Sequence, residues 1–312
     1  MNLYNTTIED VVARDVDILF AGCGYEHRAI ALSDRLREIS IRKKVAFAFG
    51  TRHILHWKSN YEWYQANDFS VIEIHDDEAE NLFATANFIL DQAAINSGED
   101  SLTILIDYSS ITRSWLAALL RAVESRSVFI KHVYFSYSMA LYAAPPAGEF
   151  INESVEPIPG FWELSEPGRP VSLVIGLGYE ESRALGAKEM LDPARTLVLY
   201  TDPVSDVRFL QAIMESNKIL LQQIADRDKF TYDVEDLGYL NRLLGDVCTG
   251  LSGADSAVVI VPLGPKPFCL VSLVVSRRIS GVDVWRITGG DFEAPIDRVA
   301  SGKFLVAGIN LG

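Results

Sequence analysis

Residues 22–29 read GCGYEHRA and residues 176–184 read GLGYEESRA, and each stretch follows a short apolar run, VDILFA at 16–21 and VSLVI at 171–175. An apolar run that stops at Gly-x-Gly and continues at helical spacing is the strand-to-helix turn of an α/β fold. Glycines there let the chain turn tightly and let another group approach the backbone. The frame Gly-x-Gly-Tyr-Glu recurs at 22–26 and 176–180 while the flanking sequence has diverged. That pattern predicts two copies of one module.

Outward from the first copy, VAFAF (45–49), FSVIEI (69–74), LTILI (102–106) and HVYFSY (132–137) read as further buried strands. Stretches 28–39, 54–66, 78–95 and 114–124 carry apolar residues at helical spacing between them. The second half repeats the order, with strands near 171–175, 196–200, 230–234, 256–262 and 282–287 and helices near 181–190, 205–224, 238–249 and 267–277. Alternation of this kind builds a parallel sheet covered on both faces. The expected class is α/β: two tandem Rossmann-like, doubly wound parallel-sheet modules related by internal duplication. The proline-, glycine- and acid-rich stretch at 143–170 marks the join. The modules are therefore placed at 1–145 and 171–312, with a linker over 146–170, and residues 288–312 can add an extra strand or hairpin.

Composition narrows the partners. The 312 residues are 49% hydrophobic, enough for two cores, and the formal net charge of −14 is spread over both halves. The longest basic block is Arg42–Lys44, so duplex nucleic acid is repelled on average and a small anion held by a few placed groups is favoured. No apolar run reaches the roughly 18–20 residues of a membrane span, and the opening MNLYNTTIEDVVARDVD lacks the features of a signal peptide. Three scattered cysteines, Cys23, Cys248 and Cys269, fit neither a disulfide framework nor a zinc cluster and read as packing residues. Together these point to the cytoplasm.

Doubly wound sheets bind ligands beyond the carboxyl ends of their strands, where the strand order reverses. The loops after the first and fourth strands of each copy fall there: GCGYEHR and DYSSITR (107–113) in one, GLGYEESR and PLGPKPF (262–268) in the other. Gly22, Gly24, Gly176 and Gly178 permit close approach of a ligand to the backbone. Arg28 and Arg183 stand in the following turn as anion contacts, Glu26 and Glu180 can accept from ribose or pair with those arginines, and Tyr25 and Tyr179 can stack on a base or wedge the turn. In DYSSITR, Ser109, Ser110 and Thr112 can donate to phosphate, Arg113 can clamp it, and Asp107 can bind ribose or act as a base. The plainer alternative is that a hydroxyl caps the next helix and Asp107 ends the strand. PLGPKPF keeps only Gly264 and Lys266 as anion contacts, so the copies are not equivalent.

Other motifs fail on detail. His27 and Glu181 stand where a dinucleotide fingerprint needs its third glycine. AGCG at 21–24 suggests a methyltransferase loop but leaves the duplicated Tyr-Glu unexplained. His53 and His56 lack an evident carboxylate or cysteine companion for a metal, and HDDEAE (Asp76, Asp77 and Glu78 within it) reads as an acidic helix start. No metal is expected, and no cofactor is indicated.

With a glycine turn after strand 1 and DYSSITR after strand 4, the chain resembles the CRISPR-associated Rossmann-fold (CARF-like) sensor domains of bacterial defence, here duplicated in one chain. The resemblance implies recognition of a nucleotide or short oligonucleotide messenger across a two-fold axis. The expected function is thus a nucleotide-binding sensor or regulatory protein, with room for a protein partner or a homo-oligomer. The alternative is an enzyme on a nucleotide or phosphoester, with Asp107 or Glu26 as general base.

Overall fold

The computed structural model describes residues 1–311 apart from 76–77, 98–100, 146–151, 164–167, 181, 255 and 290–294. The chain forms two compact units, Met1–Leu141 with Ile296–Gly312, and Tyr142–Pro295. Along the first run β1 (Asn2–Thr6), α1 (Ile8–Val12), β2 (Ile18–Cys23), α2 (Ala31–Arg35), β3 (Lys43–Phe49), α3 (Trp57–Ala66), β4 (Ser70–Ile74), α4 (Ala79–Ser97), β5 (Leu102–Asp107), α5 (Arg113–Ser125) and β6 (Ile130–Ala140) follow one another. The second unit holds β7 (Asn152–Pro157), β8 (Val171–Gly176), α6 (Arg183–Leu191), β9 (Arg195–Thr201), α7 (Val207–Ser216), α8 (Lys218–Gln223), β10 (Lys229–Tyr232), α9 (Leu237–Gly253), β11 (Ala257–Pro262), α10 (Lys266–Arg278) and β12 (Val282–Gly289). The chain then returns to the first unit as β13 (Ala300–Asn310).

The two sheets match strand for strand. One runs β13-β6-β5-β2-β3-β4 with β1 beyond β13; the other runs β7-β12-β11-β8-β9-β10. Five strands of each are parallel, and the sixth, β13 or β7, is antiparallel to its neighbour. Each unit is therefore a Rossmann-like α/β module with its order reversing between the first and fourth parallel strands, β2 and β5 or β8 and β11. Those central strands carry unbroken apolar runs because helices cover both faces: β2, β5 and β11 are buried along their whole length. α5 and α10, which follow the fourth strands, are buried over Ser114–Leu120 and Pro267–Val275.

Four expectations change. Residues 296–312, expected in the second module, supply β13 to the first, where Leu305, Val306, Ala307 and Ile309 are buried between β1 and β6. The linker expected over 146–170 contains β7, which pairs with β12. The helix expected over 28–39 is a 3-10 turn, His27–Ile30, followed by the short α2, and that expected over 205–224 breaks at Asn217 into α7 and α8. Both interruptions belong to the loops considered next.

Candidate functional site

The paired loops meet in each unit, and the glycines are what lets them. A Cβ on Gly22 would lie 2.3 Å from Ile111 Cγ2, and one on Gly24 would lie 2.3 Å from Ser110 Oγ and 2.9 Å from Ser110 O. In the second unit a Cβ on Gly176 would meet the Phe268 ring at 2.4 Å and one on Gly178 would meet Leu263 O at 2.6 Å. Gly264 N donates to Gly176 O at 2.7 Å. The space that the sequence assigned to a ligand beside these glycines is filled by the neighbouring loop of the same unit.

A second feature recurs that sequence reading missed. Asn60, on α3, donates through Nδ2 to Gly24 O (2.8 Å) and Glu26 O (2.9 Å). Asn217, between α7 and α8, donates through Nδ2 to Gly178 O (2.7 Å) and Ile213 O (2.8 Å). The next carbonyl is also held in both copies, Tyr25 O by His56 N at 3.1 Å and Tyr179 O by Ser216 Oγ at 2.8 Å. A turn buried beside a sheet needs partners for its carbonyls, and one asparagine per copy supplies them. Asn217 breaks its helix to do so. The only sequence signal was a polar residue on the apolar side of a helix.

Side chains in the first unit are tied into one network. Arg28, 1% exposed, donates from Nε to Glu26 Oε2 (2.7 Å) and from Nη1 to Tyr137 OH and Ser138 O (both 2.9 Å). Burial works against its charge, yet Tyr137 and Glu26 outweigh that and hold the guanidinium above its usual range. Ser138 N in turn donates to Ser109 Oγ (2.7 Å), and Ser109 donates from N (3.0 Å) and Oγ to Asp107 Oδ1. Thus β6 joins the loop after β2 to the loop after β5. Arg28, expected as an anion contact, is instead a brace inside the fold. Glu26 (6% exposed) and Asp107 (1% exposed) are likewise enclosed. Thr112 Oγ1 accepts from Trp115 N at 3.1 Å and caps α5, as the plainer reading had it, and Ser110, expected as a phosphate donor, packs against Gly24. Arg113 is partly exposed at the start of α5.

The second unit is poorer in polar groups at the same place. Arg183 is buried, Tyr179 packs against the apolar cluster around Leu173, Ile213 and Leu263, and Glu180 is partly exposed. Lys266 is partly exposed at the first position of α10, behind Pro265.

Around the first unit's turn the structure adds residues from the far end of the chain. Asp297 Oδ1 accepts from His27 N at 2.8 Å, and its Oδ2 lies 3.2 Å from His56 Nε2. Arg298 O accepts from Arg28 N at 3.0 Å, and Arg298 Nη1 donates to Glu26 Oε1 at 3.3 Å. The His27 and His56 rings meet edge to face at 5.4 Å, with His27 exposed and His56 partly so. The carboxylate that His56 lacked in the sequence is Asp297, 241 residues away. His53 stacks on Trp57 at 3.6 Å.

Among the described residues no cluster of His, Cys, Asp or Glu could hold a metal, and no helix is long and apolar enough to cross a membrane. Asp76, Asp77 and Glu181 lie outside the described residues; Glu78 accepts from Asn81 Nδ2 at 2.7 Å. All three cysteines are buried and none forms a disulfide. Burial, with Glu73 adding to it, pushes the Cys23 thiol up to about 12, and burial pushes Cys248 up to about 12, so neither is a thiolate nucleophile at neutral pH. No protein-family model matches the chain, and no curated protein matches it in sequence.

Proposed function

We propose that the protein is a nucleotide-binding sensor or regulatory module, and that its first unit holds a small nucleotide-like anion at the carboxyl edge of β2 and β5. The observation that carries this reading is the asymmetry of side chains around two otherwise matching loop pairs. Both have the strand reversal where open α/β sheets take ligands. Only the first surrounds it with exposed or partly exposed His27, His56, Arg113 and Arg298, next to the capped start of a 13-residue helix. The resemblance of DYSSITR to the CARF-like sensors of bacterial defence adds a nucleotide or short oligonucleotide as the ligand class. A signalling role is what that resemblance adds, and a cytoplasmic setting is what the small number and scatter of the cysteines favour.

Binding is favoured over catalysis because the two carboxylates available as general base, Glu26 and Asp107, are buried and committed to Arg28 and Ser109. A base must reach the proton it takes. The test is a thermal-shift series on the full chain with ATP, ADP, AMP, cyclic mono- and dinucleotides and short oligoadenylates. A ligand at 100 times its Kd adds about 2.7 kcal/mol, seen as a rise of several degrees in Tm. No shift with any of them overturns the reading, and release of phosphate or of a cyclised or cleaved product during incubation replaces it with the enzymatic one.

A further inference from the structure

The two units exchange their edge strands. A chain leaving the fifth parallel strand has a direct route back as a hairpin on the same sheet. Neither copy takes it: the strand after β6 is β7, which pairs with β12, and the strand after β12 is β13, which pairs with β6. The residues at the head of each exchanged strand then bond to the turn that follows Gly-x-Gly-Tyr-Glu. In the first unit these are Asp297 and Arg298, two residues short of β13, which hold the His27 and Arg28 amides and the Glu26 carboxylate. In the second it is Asn152, the first residue of β7, whose Nδ2 donates to Arg183 O at 3.0 Å. Arg183 stands one residue further from its glycines than Arg28 does, and the first copy is held at an amide where the second is held at a carbonyl, so the turn after the motif is pinned in both copies though not at the same atom, each time by residues that the sequence places beyond the other copy.

We propose that this exchange is a clamp, with Asp297 and Arg298 as positioning residues that set the shape of the first crevice and hence its affinity. Asp297 acts by fixing the His27 amide and the His56 ring together. Arg298 acts by holding the outer oxygen of Glu26, whose inner oxygen is bound by Arg28. The bulge that follows, with its register shift between Ala300 and Phe304 and Gly302 at a φ of 86°, turns the segment off the clamp and into the ladder. The ligand part of this inference rests on the binding reading above; the clamp itself does not.

Two measurements on the full chain separate them. Amide hydrogen exchange is followed at His27 and Arg28 in the wild type, Asp297→Ala and Asp297→Asn, and ATP affinity is measured on the same proteins. The clamp predicts at least tenfold faster exchange at His27 and Arg28 in Asp297→Ala, unchanged exchange in β2 and β5, and recovered protection in Asp297→Asn, which keeps the Oδ1 acceptor. Unchanged exchange at 27–28 in Asp297→Ala overturns the clamp. If the wild type binds ATP, Asp297→Ala weakens it at least fivefold; faster exchange with unaltered affinity overturns the positioning role. Absence of ATP binding in the wild type counts against the functional reading for that probe and leaves the exchange result to judge the clamp.

Discussion

In the first unit the loop after β2 is held by Asn60 and pressed against Ser110 and Ile111; in the second the loop after β8 is held by Asn217 and pressed against Leu263 and Phe268. The backbone contacts correspond, while the side chains around them do not. What both copies keep is what a buried turn requires: glycines where two loops touch, and donors for two successive carbonyls. What only the first keeps is a set of histidines and arginines at the edge of the turn. A motif duplicated within a chain therefore reports packing, and the sequence around it reports chemistry.

The largest effect that would break this comparison is at Arg28. Arg28→Ala removes the close guanidinium partner of the buried Glu26 carboxylate, an expected cost of about 3–5 kcal/mol. Lys266→Ala, at a partly exposed helix start, should stay within about 0.5 kcal/mol. Chemical denaturation followed separately for each unit measures both. A wild-type midpoint for Arg28→Ala would return that arginine to the ligand contacts.

Next in size are the two asparagines. Asn60→Ala and Asn217→Ala each remove two hydrogen bonds to backbone carbonyls, and each should cost about 2 kcal/mol. Similar losses, one in each unit's own transition, would sharpen the correspondence. A loss in one unit only would mean that the turns are held by different means.

The elements that the sequence made legible were those whose signal is local. All ten parallel strands were placed by their apolar runs, most to within two residues, and the meeting of the paired loops followed from their order. β7 and β13 were not legible as partners, because an antiparallel edge strand is chosen by a neighbour more than a hundred residues away. Arg28 was misjudged for a related reason. A charged residue after a glycine turn looks solvent-facing until Tyr137 and Ser138, from a strand 109 and 110 residues on, are seen to receive it. The histidines were visible, but their carboxylate, Asp297, was beyond any local window.

The smallest expected effect concerns the ligand. Arg113→Ala should weaken nucleotide binding about tenfold, the worth of one charge-assisted hydrogen bond, and Lys266→Ala should change it less than twofold. Calorimetric titration with whichever nucleotide raises the Tm decides between them. Dependence on Lys266 alone would show that the second crevice, not the first, holds the ligand.

The exchanged strands also impose an order on synthesis. β7 has left the ribosome before the strands it joins are made, so the second sheet can close as soon as β12 emerges. The first sheet cannot: after Ala140 is made, β6 waits some 160 residues for β13, roughly 10–30 s at ordinary elongation rates. Throughout that interval an eleven-residue strand that includes Val133, Tyr134 and Phe135 presents an unpaired edge to the cell. The amino-terminal unit is thus the last to be completed, and the nascent chain is most exposed to misassociation while its second half is being translated.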